Sequence, residues 1–175
     1  KASRWYTGGG LFRDVTLIAT DSKVYFMRHP LHITTSDNNK VNIMAEVRNT
    51  EKGDVQKMHV TITAPDGSIV YDDNQELKRN RNYRSQELQL QSISIPNAKL
   101  WDCENPNLYT AKVELLNQKG EVADCITKHF GIRTVEFVPN KGFLLNGKKV
   151  LLKGYANHHT LGALGAAAYP RAIEK

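Results

Sequence analysis

The sequence lacks long apolar runs, both of the kind that crosses a membrane and of the kind that forms the centre of a signal peptide. No apolar run among its 175 residues approaches the roughly 20 residues of a membrane span. The opening residues, 1–12, lack the apolar centre of a signal peptide. We therefore expect no membrane partner, and we expect a soluble mature protein or an internal piece of one.

Cysteine is also scarce, with two residues, Cys103 and Cys125. Both lie in a stretch that is predicted to be a β-hairpin, in which Cys125 would face about Lys112 and Cys103 would lie several residues beyond. A disulfide needs Cα atoms within about 7 Å, so two free thiols are expected. The Cys-x-x-Cys spacing of many zinc sites is absent, and we expect no metal and no cofactor.

Positive charge is present but scattered. The formal net charge is +6 at pH 7, and a basic balance can indicate a polyanion partner. No aromatic residues are interleaved with either basic cluster, so we expect no nucleic-acid partner. The clusters are Lys78, Arg79, Arg81 and Arg84, and then Lys148 and Lys149.

Alternation of apolar and polar residues predicts an all-β fold between residues 29 and 130. Such alternation is typical of half-buried strands, and no helical period competes with it before Leu161. About seven short strands, with turn residues roughly every eight to twelve positions, predict an immunoglobulin-like or fibronectin-like β-sandwich. A further short strand is expected at residues 15–18. The predicted inward residues are Leu31, Ile33, Val41, Ile43, Ala45, Val47, Met58, Val60, Ile62, Ala64, Tyr109, Ala111, Val113 and Leu115.

One strand of this pattern changes phase. Leu88 and Leu90 alternate, and Ile93 and Ile95 alternate out of step with them. A one-residue slip would place the second pair on the wrong face of the sheet. Since a β-bulge inserts one extra residue into a strand, we predict a bulge near Gln91-Ser92.

Residues 101–137 are predicted to form a long hairpin, the central element of the sandwich. Its turn is expected at residues 117–120, where Gly120 can adopt a positive φ. Tyr109 enters the first strand after the Pro106-Asn107 corner. A tyrosine at this place can fold its hydroxyl back onto upstream backbone.

The pattern changes after Pro139. Residues 142–152 predict a second hairpin with its turn at Asn146-Gly147, and its second strand leads to the adjacent His158 and His159. Pro170 suits the first turn of a helix. Since even a marginal isolated helix needs about 12–15 residues, the six from Pro170 onward indicate a fragment of a larger domain.

Three stretches, taken together, resemble family 2 glycoside hydrolases, the group of β-galactosidases, β-glucuronidases and β-mannosidases. Residues 3–15, SRWYTGGGLFRDV, resemble the end of the jelly-roll sugar-binding domain. Residues 100–109, LWDCENPNLY, with 130–136, FGIRTVE, resemble the last strands of the immunoglobulin-like second domain. Residues 142–163, beginning GFLLNGKKV, are similar to the entry into the catalytic (β/α)8 barrel, and their His-His and Leu-Gly-Ala ending is closest to β-galactosidase-like members.

The resemblance implies three pieces of domains. Residues 1–21 would be the tail end of the jelly-roll domain, 22–138 the immunoglobulin-like sandwich, and 139–175 the truncated start of the barrel. It also implies that the parent protein is a retaining O-glycosyl hydrolase acting on terminal β-glycosides, with two glutamates roughly 5–5.5 Å apart.

In the family both glutamates lie far along the barrel, beyond this chain. We therefore nominate no catalytic residue, and we expect the isolated chain to be inactive. The glutamates on the predicted strands and loops are interpreted as solvated surface residues. They are Glu46, Glu76, Glu87, Glu104, Glu114, Glu121 and Glu136.

His158 is the residue whose chemistry the resemblance transfers, and it is the predicted substrate-binding residue. It matches the histidine after the first barrel strand, where residues at strand ends build the active site. An imidazole there can hydrogen-bond a sugar hydroxyl. His159 stands where many relatives carry an acidic residue, so its role stays open. Adjacent side chains on a strand point to opposite faces, which disfavours a metal site formed by His158 and His159. The alternative to a sugar-binding role, for the fragment alone, is that both histidines are exposed to solvent on a tail.

Three hypotheses of function remain. A central sandwich would brace the sugar-binding domain against the barrel, so that its partners are the remaining domains of the same enzyme and, through them, a carbohydrate substrate. A stand-alone immunoglobulin-like binding or adhesion module explains the strands but not the two ends. A carbohydrate-binding module needs a face of exposed aromatics, which 8% aromatic residues without an evident cluster disfavour.

Overall fold

The computed structural model describes residues 15–49, 55–76, 85–89, 92–156 and 169–174. The chain divides into two units, Thr20–Leu151 and a second made of Lys1–Ala19 with Leu152–Lys175. The described residues of the second unit contain one helical turn, α1 (Pro170–Ile173), which begins at proline as predicted. None of the helices in these ranges is long and apolar enough to cross a membrane.

The first unit contains all the strands that the described ranges hold. In chain order they are β1 (Val24–Ser36), β2 (Lys40–Asn49), β3 (Val55–Thr63), β4 (Ile69–Glu76), β5 (Ser85–Gln89), β6 (Ile93–Ser94), β7 (Tyr109–Asn117), β8 (Val122–Phe130), β9 (Val135–Val138), β10 (Gly142–Leu145) and β11 (Lys148–Lys149).

Two antiparallel sheets form the β-sandwich. One sheet has the order β1-β2-β5, with β6 also paired to β2, and the other has the order β4-β3-β7-β8. Counting β5 and β6 as one interrupted strand, the described residues of these two sheets form seven strands, and the predicted immunoglobulin-like fold is confirmed. Strands β9, β10 and β11 form a separate three-stranded sheet.

A single apolar core lies between the two large sheets. Most of the predicted inward residues are buried in it, and Ile33 and Ala64 pack at its margin. Within the described residues no polar or charged residue is buried. The period-two pattern therefore identified the core faces because each inward face is continuously apolar.

The bulge was predicted near Gln91-Ser92, and Gln91 lies outside the described residues. The register on β2 at either side of this position agrees with the prediction. Met44 lies opposite Gln89 of β5, whereas Val41 lies opposite Ile93 of β6. The β5–β6 segment is therefore one residue longer than the stretch of β2 that it faces, which is the offset of a one-residue bulge. The offset turns Ile93 into the core, where it is buried.

The predicted hairpin consists of β7 and β8, with a shorter span than residues 101–137. Gly120 in the turn has a φ of 81°. The carboxamide oxygen of Asn117 accepts hydrogen bonds from the backbone N–H groups of Lys119 and Glu121, both at 2.9 Å. These bonds stabilise the turn from within, since an asparagine side chain can substitute for backbone acceptors there.

The prediction that Cys125 faces about Lys112 was wrong. Cys125 lies opposite Glu114 rather than Lys112. The turn is centred later than expected, and the register shifts once more between Leu115 and Leu116. Both cysteines are nevertheless free, as predicted, and both are exposed.

The prediction of a strand at residues 15–18 was also wrong. Residues 15–20 have no regular secondary structure and are exposed. A strand needs a partner for its backbone groups, and no sheet pairing of the described residues includes this segment.

Candidate functional site

The predicted substrate-binding residue, His158, lies outside the described residues, as does His159. The structure describes 151–156 before them and 169–174 after them. Residues 151–156 are exposed and have no regular secondary structure. A sugar-binding role for His158 therefore stays a prediction.

The hairpin that precedes this segment is confirmed. Strands β10 and β11 pair around Asn146 and Gly147, whose φ angles of 50° and 75° are both positive. Two consecutive positive φ values define a type I′ turn, which asparagine and glycine favour. The Asn-Gly pair therefore specifies the turn in the way the sequence predicted.

Asn146 also joins the hairpin to two other segments. Its backbone N–H donates to the Thr134 carbonyl at 2.9 Å, and its side-chain oxygen accepts from the Thr134 N–H at 3.0 Å. Its side-chain nitrogen donates to the Trp101 carbonyl at 3.1 Å. These three bonds hold the hairpin to Thr134, just before β9, and to Trp101.

Trp101 brings together the two motifs that carried the resemblance in the sandwich. Its backbone N–H donates to the Ile132 carbonyl at 2.9 Å. The Arg133 guanidinium lies 4.8 Å from the centre of the Trp101 ring, within the range of a cation–π contact. A Cβ atom built on Gly131 would lie 2.6 Å from the Trp101 Cβ. Glycine is therefore required there by the closeness of the tryptophan.

A polar cluster that the sequence did not reveal lies on the outward face of the β4-β3-β7-β8 sheet. His59 of β3 has its Nε2 atom 2.5 Å from an Asp72 oxygen of β4. Its Nδ1 atom is 3.3 Å from a Glu114 oxygen of β7. The other Glu114 oxygen lies 2.6 Å from the Lys112 ammonium. Sequence reasoning missed both carboxylate partners of this histidine.

The interpretation of Glu114 as a solvated surface residue was wrong. Its side chain is only 12% exposed, and it contacts Lys112 and His59. The Lys112 ammonium holds the pKa of Glu114 below its ordinary value, and His59 acts in the same direction. No local sequence pattern could have found this cluster, since 55 residues separate His59 from Glu114.

The cluster has a defined protonation preference. The hydrogen bond to Asp72 raises the pKa of His59, and Glu114 adds to this while burial opposes it. Burial raises the pKa of the neighbouring Cys125 thiol, which disfavours its reactive thiolate form. His59 contacts one carboxylate at each ring nitrogen, so it links β3 to both β4 and β7.

The ranges that the structure describes contain no group of three or more histidine, cysteine, aspartate or glutamate side chains placed to hold a metal ion.

The chain matches known proteins over nearly its whole length. The family described as Glycosyl hydrolases family 2 matches residues 25–133. A β-galactosidase, BoGH2A, of Bacteroides ovatus is 31% identical over 99% of this chain and 20% of its own. A putative β-glucuronidase of Formosa agariphila is 33% identical over 94% of this chain and 19% of its own.

A solved structure agrees with these matches. A glycosyl hydrolase family 2 member from Bacteroides cellulosilyticus has a TM-score of 0.72 and 31% identity, over 98% of this chain and 24% of its own. The chain spans about a fifth of the length of the curated relatives named above. The family match covers most of the sandwich. The chain belongs to glycosyl hydrolase family 2.

Proposed function

We propose that this chain is the non-catalytic central sandwich of a retaining, β-galactosidase-like glycoside hydrolase. The intact enzyme would hydrolyse terminal β-glycosides, with β-glucuronides and β-mannosides as alternative substrates. Relatives named as a β-galactosidase and a putative β-glucuronidase support this class of substrate. The proposed partners of the sandwich are the remaining domains of the same enzyme.

One observation carries the proposal of a non-catalytic role. The family match coincides with a sandwich whose described residues include no buried polar or charged residue. A retaining glycosidase needs two carboxyl groups about 5–5.5 Å apart, one on each side of the scissile bond. Asp72 and Glu114 are instead joined by His59 between them. The catalytic pair is therefore expected in another part of the intact enzyme.

The domain assignment remains part of the proposal. Residues 1–21 would end a jelly-roll domain, 22–138 would form the sandwich, and 139–175 would begin the barrel. The first unit of the structure extends to Leu151, and within it Asn146 holds the β10–β11 hairpin to Trp101 and Thr134. This attachment supports a bracing role, since the chain would enter the barrel from a fixed point.

His158 is the proposed contact with the sugar. In the intact enzyme His158→Asn should lower kcat/KM by about 100-fold if its hydrogen bond strengthens in the transition state. His159→Asn is the neighbouring control and should have a much smaller effect. Equal effects of the two substitutions would contradict the assignment of His158.

The test of the function compares the 175-residue chain with the intact enzyme. Both are incubated with p-nitrophenyl β-galactoside, β-glucuronide and β-mannoside, and circular dichroism confirms that the chain is folded. We expect turnover by the intact enzyme alone, with the β-anomer as the first product in NMR. Turnover by the chain would overturn the non-catalytic role, and an inactive intact protein would favour the stand-alone binding module.

A further inference from the structure

The Asn146-Gly147 pair has a chemical reactivity that its place in the turn does not use. In such a pair the backbone nitrogen of glycine can attack the carboxamide carbon of asparagine, because glycine has no side chain that hinders the approach. Asn146 is the only asparagine in the sequence that glycine follows directly. The fast form of this reaction is therefore available at one place, the turn between β10 and β11.

The reaction is a deamidation that passes through a cyclic imide. The Gly147 nitrogen forms a bond to the Asn146 Cγ atom, and the bond between Cγ and Nδ2 breaks. The proton that the Gly147 nitrogen loses goes to Nδ2, which leaves as ammonia. Water then adds to one of the two imide carbonyl groups, and the product is aspartate or isoaspartate. Water is the co-reactant, and no atom is oxidised or reduced.

The backbone of the closed turn keeps the reacting atoms apart. A type I′ turn has a ψ of about 30° at its first central residue. This angle places the Gly147 nitrogen nearly opposite the Asn146 Cβ atom across the Cα–C bond. The imide ring needs the two atoms on the same side of that bond, so the backbone at Asn146 must rotate out of the turn before the ring can close.

The side chain of Asn146 is held at both ends. Its oxygen accepts from the Thr134 N–H at 3.0 Å, and its nitrogen donates to the Trp101 carbonyl at 3.1 Å. Attack turns the planar Cγ atom into a tetrahedral one, which both bonds oppose. The leaving nitrogen must also gain a proton, and a carbonyl oxygen has none to give.

The hairpin is small enough to open by itself. Strand β11 has two residues, and it pairs with β10 through Lys148 and Lys149 alone. Elements with few pairing bonds open more often than core strands do. Gly147 is exposed, so water reaches the imide once it has formed. Opening of the hairpin is therefore the step that admits the reaction.

The product cannot restore the bonds of the closed hairpin. An aspartate carboxylate accepts hydrogen bonds and donates none, so its oxygen would face the Trp101 carbonyl, a second acceptor. An unpaired acceptor in this half-buried place is costly. Isoaspartate also adds one carbon atom to the main chain, which changes the two-residue turn that joins Leu145 to Lys148.

We propose that Asn146 is a deamidation site gated by the β10–β11 hairpin, which reacts only when the hairpin opens and whose product keeps the hairpin from binding Trp101 again. A reversible opening thereby becomes a permanent change in the protein. The reaction needs no other protein and no turnover of a substrate, so it holds whether or not the intact enzyme has the proposed function.

Peptide mapping by mass spectrometry tests the site. The chain is kept in mildly alkaline buffer with and without urea, and chromatography separates the aspartate and isoaspartate products. Asn140 is the internal control, because it also has a positive φ, 64°, but precedes lysine. We expect deamidation of Asn146 to be at least about 10-fold slower in the folded chain than in urea. Equal rates at Asn146 with and without urea, or equal rates at Asn146 and Asn140 in urea, would overturn the proposal.

Two truncated side chains distinguish local opening from global unfolding. Leu145→Ala removes a buried side chain next to the turn, and Val113→Ala removes one from the sandwich core. Leu145→Ala should speed deamidation of the folded chain by about 10-fold or more, and Val113→Ala should leave the rate unchanged. Leu144→Ala is the milder variant should Leu145→Ala fail to fold. Equal acceleration by the hairpin and core variants would show that the reaction follows global unfolding, and would overturn the gating.

The effect of the product is tested with Asn146→Asp. Hydrogen exchange at residues 142–149 should be about 10-fold faster in this variant than in the unchanged chain, because the carboxylate cannot donate to Trp101. Asn140→Asp adds the same charge at an exposed position and should leave exchange there unchanged. A hairpin as well protected in Asn146→Asp as in the unchanged chain would overturn the permanent release.

Discussion

The hydroxyl of Tyr109 accepts a hydrogen bond from the backbone N–H of Lys99 at 2.8 Å. The tyrosine ring is buried at the start of β7, and its ring centre lies 5.7 Å from that of Phe130 on β8. One side chain thus joins the core to the loop that approaches the hairpin. This is the tyrosine contact that the Pro106-Asn107 corner predicted, and it belongs to immunoglobulin-like sandwiches in general.

Tyr109→Phe tests the energy of this bond. The ring still packs in the core, but the Lys99 N–H loses its partner, so the free energy of unfolding should fall by about 1–3 kcal/mol. Urea denaturation of the chain measures the loss. Tyr71→Phe is the matched control, because the Tyr71 hydroxyl makes an exposed contact of 3.5 Å with Asp73. A similar loss at both positions would mean that the corner bond adds little.

His59 should make stability depend on pH. Its pKa is raised by Asp72, so the protonated form gains stability on folding. That contribution is fully present below the unfolded value of about 6.5 and is lost as the pH rises through the folded pKa. His59→Gln should therefore destabilise the chain more at about pH 6 than at about pH 9, by up to about 1 kcal/mol. Denaturation at the two pH values measures this, and equal losses would contradict it.

The source of the shift can be tested separately by NMR titration of the His59 imidazole. Asp72→Asn removes the first cause of the raised pKa, so the pKa of His59 should move down toward its ordinary value. Asp73→Asn is the matched control on the same strand, because successive side chains point to opposite faces. The assignment fails if Asp73→Asn lowers the pKa of His59 as much as Asp72→Asn does.

The closeness of Gly131 and Trp101 gives a steric prediction. Gly131→Ala would place a Cβ atom 2.6 Å from the Trp101 Cβ and 2.7 Å from its Cγ, and the tryptophan is held by the Ile132 carbonyl. We expect a loss of about 1–3 kcal/mol in the free energy of unfolding. Gly154→Ala is the control, since no heavy atom lies within 4 Å of a Cβ atom there. An unchanged thermal midpoint for Gly131→Ala would show that the loop yields easily.

The features that the sequence predicted well are those determined by neighbouring residues in the sequence. Val41, Ile43 and Val47 alternate along one strand, so their burial could be inferred without knowledge of the partner strand. The same holds for the Asn146-Gly147 turn, whose φ angles suit these two residues. The phase change at Ile93 likewise predicted the one-residue offset between β5 and β6 along β2, because the change is visible in neighbouring residues of the sequence.

The residues that the sequence predicted poorly depend on register between strands. His59, Asp72 and Glu114 meet only because β3 pairs with both β4 and β7. The partner of Cys125 depends on an irregularity between Leu115 and Leu116 for which no nearby residue provides a sign. A one-residue shift changes every cross-strand contact. The residues that meet in such a cluster therefore depend on the register of the whole sheet.

Asn146 should decide whether the β10–β11 hairpin stays on the sandwich. Asn146→Gly keeps the positive φ but removes the side-chain bonds to Thr134 and Trp101, so we expect a loss of about 1–3 kcal/mol. Asn140→Gly is a matched control with a φ of 64° and an exposed side chain, and should change stability by less than about 0.5 kcal/mol. Hydrogen exchange should also quicken at residues 142–149 in Asn146→Gly while β3 and β7 stay protected, since the hairpin then opens locally. Equal exchange in the two variants would show that strand pairing with β9 alone holds the hairpin.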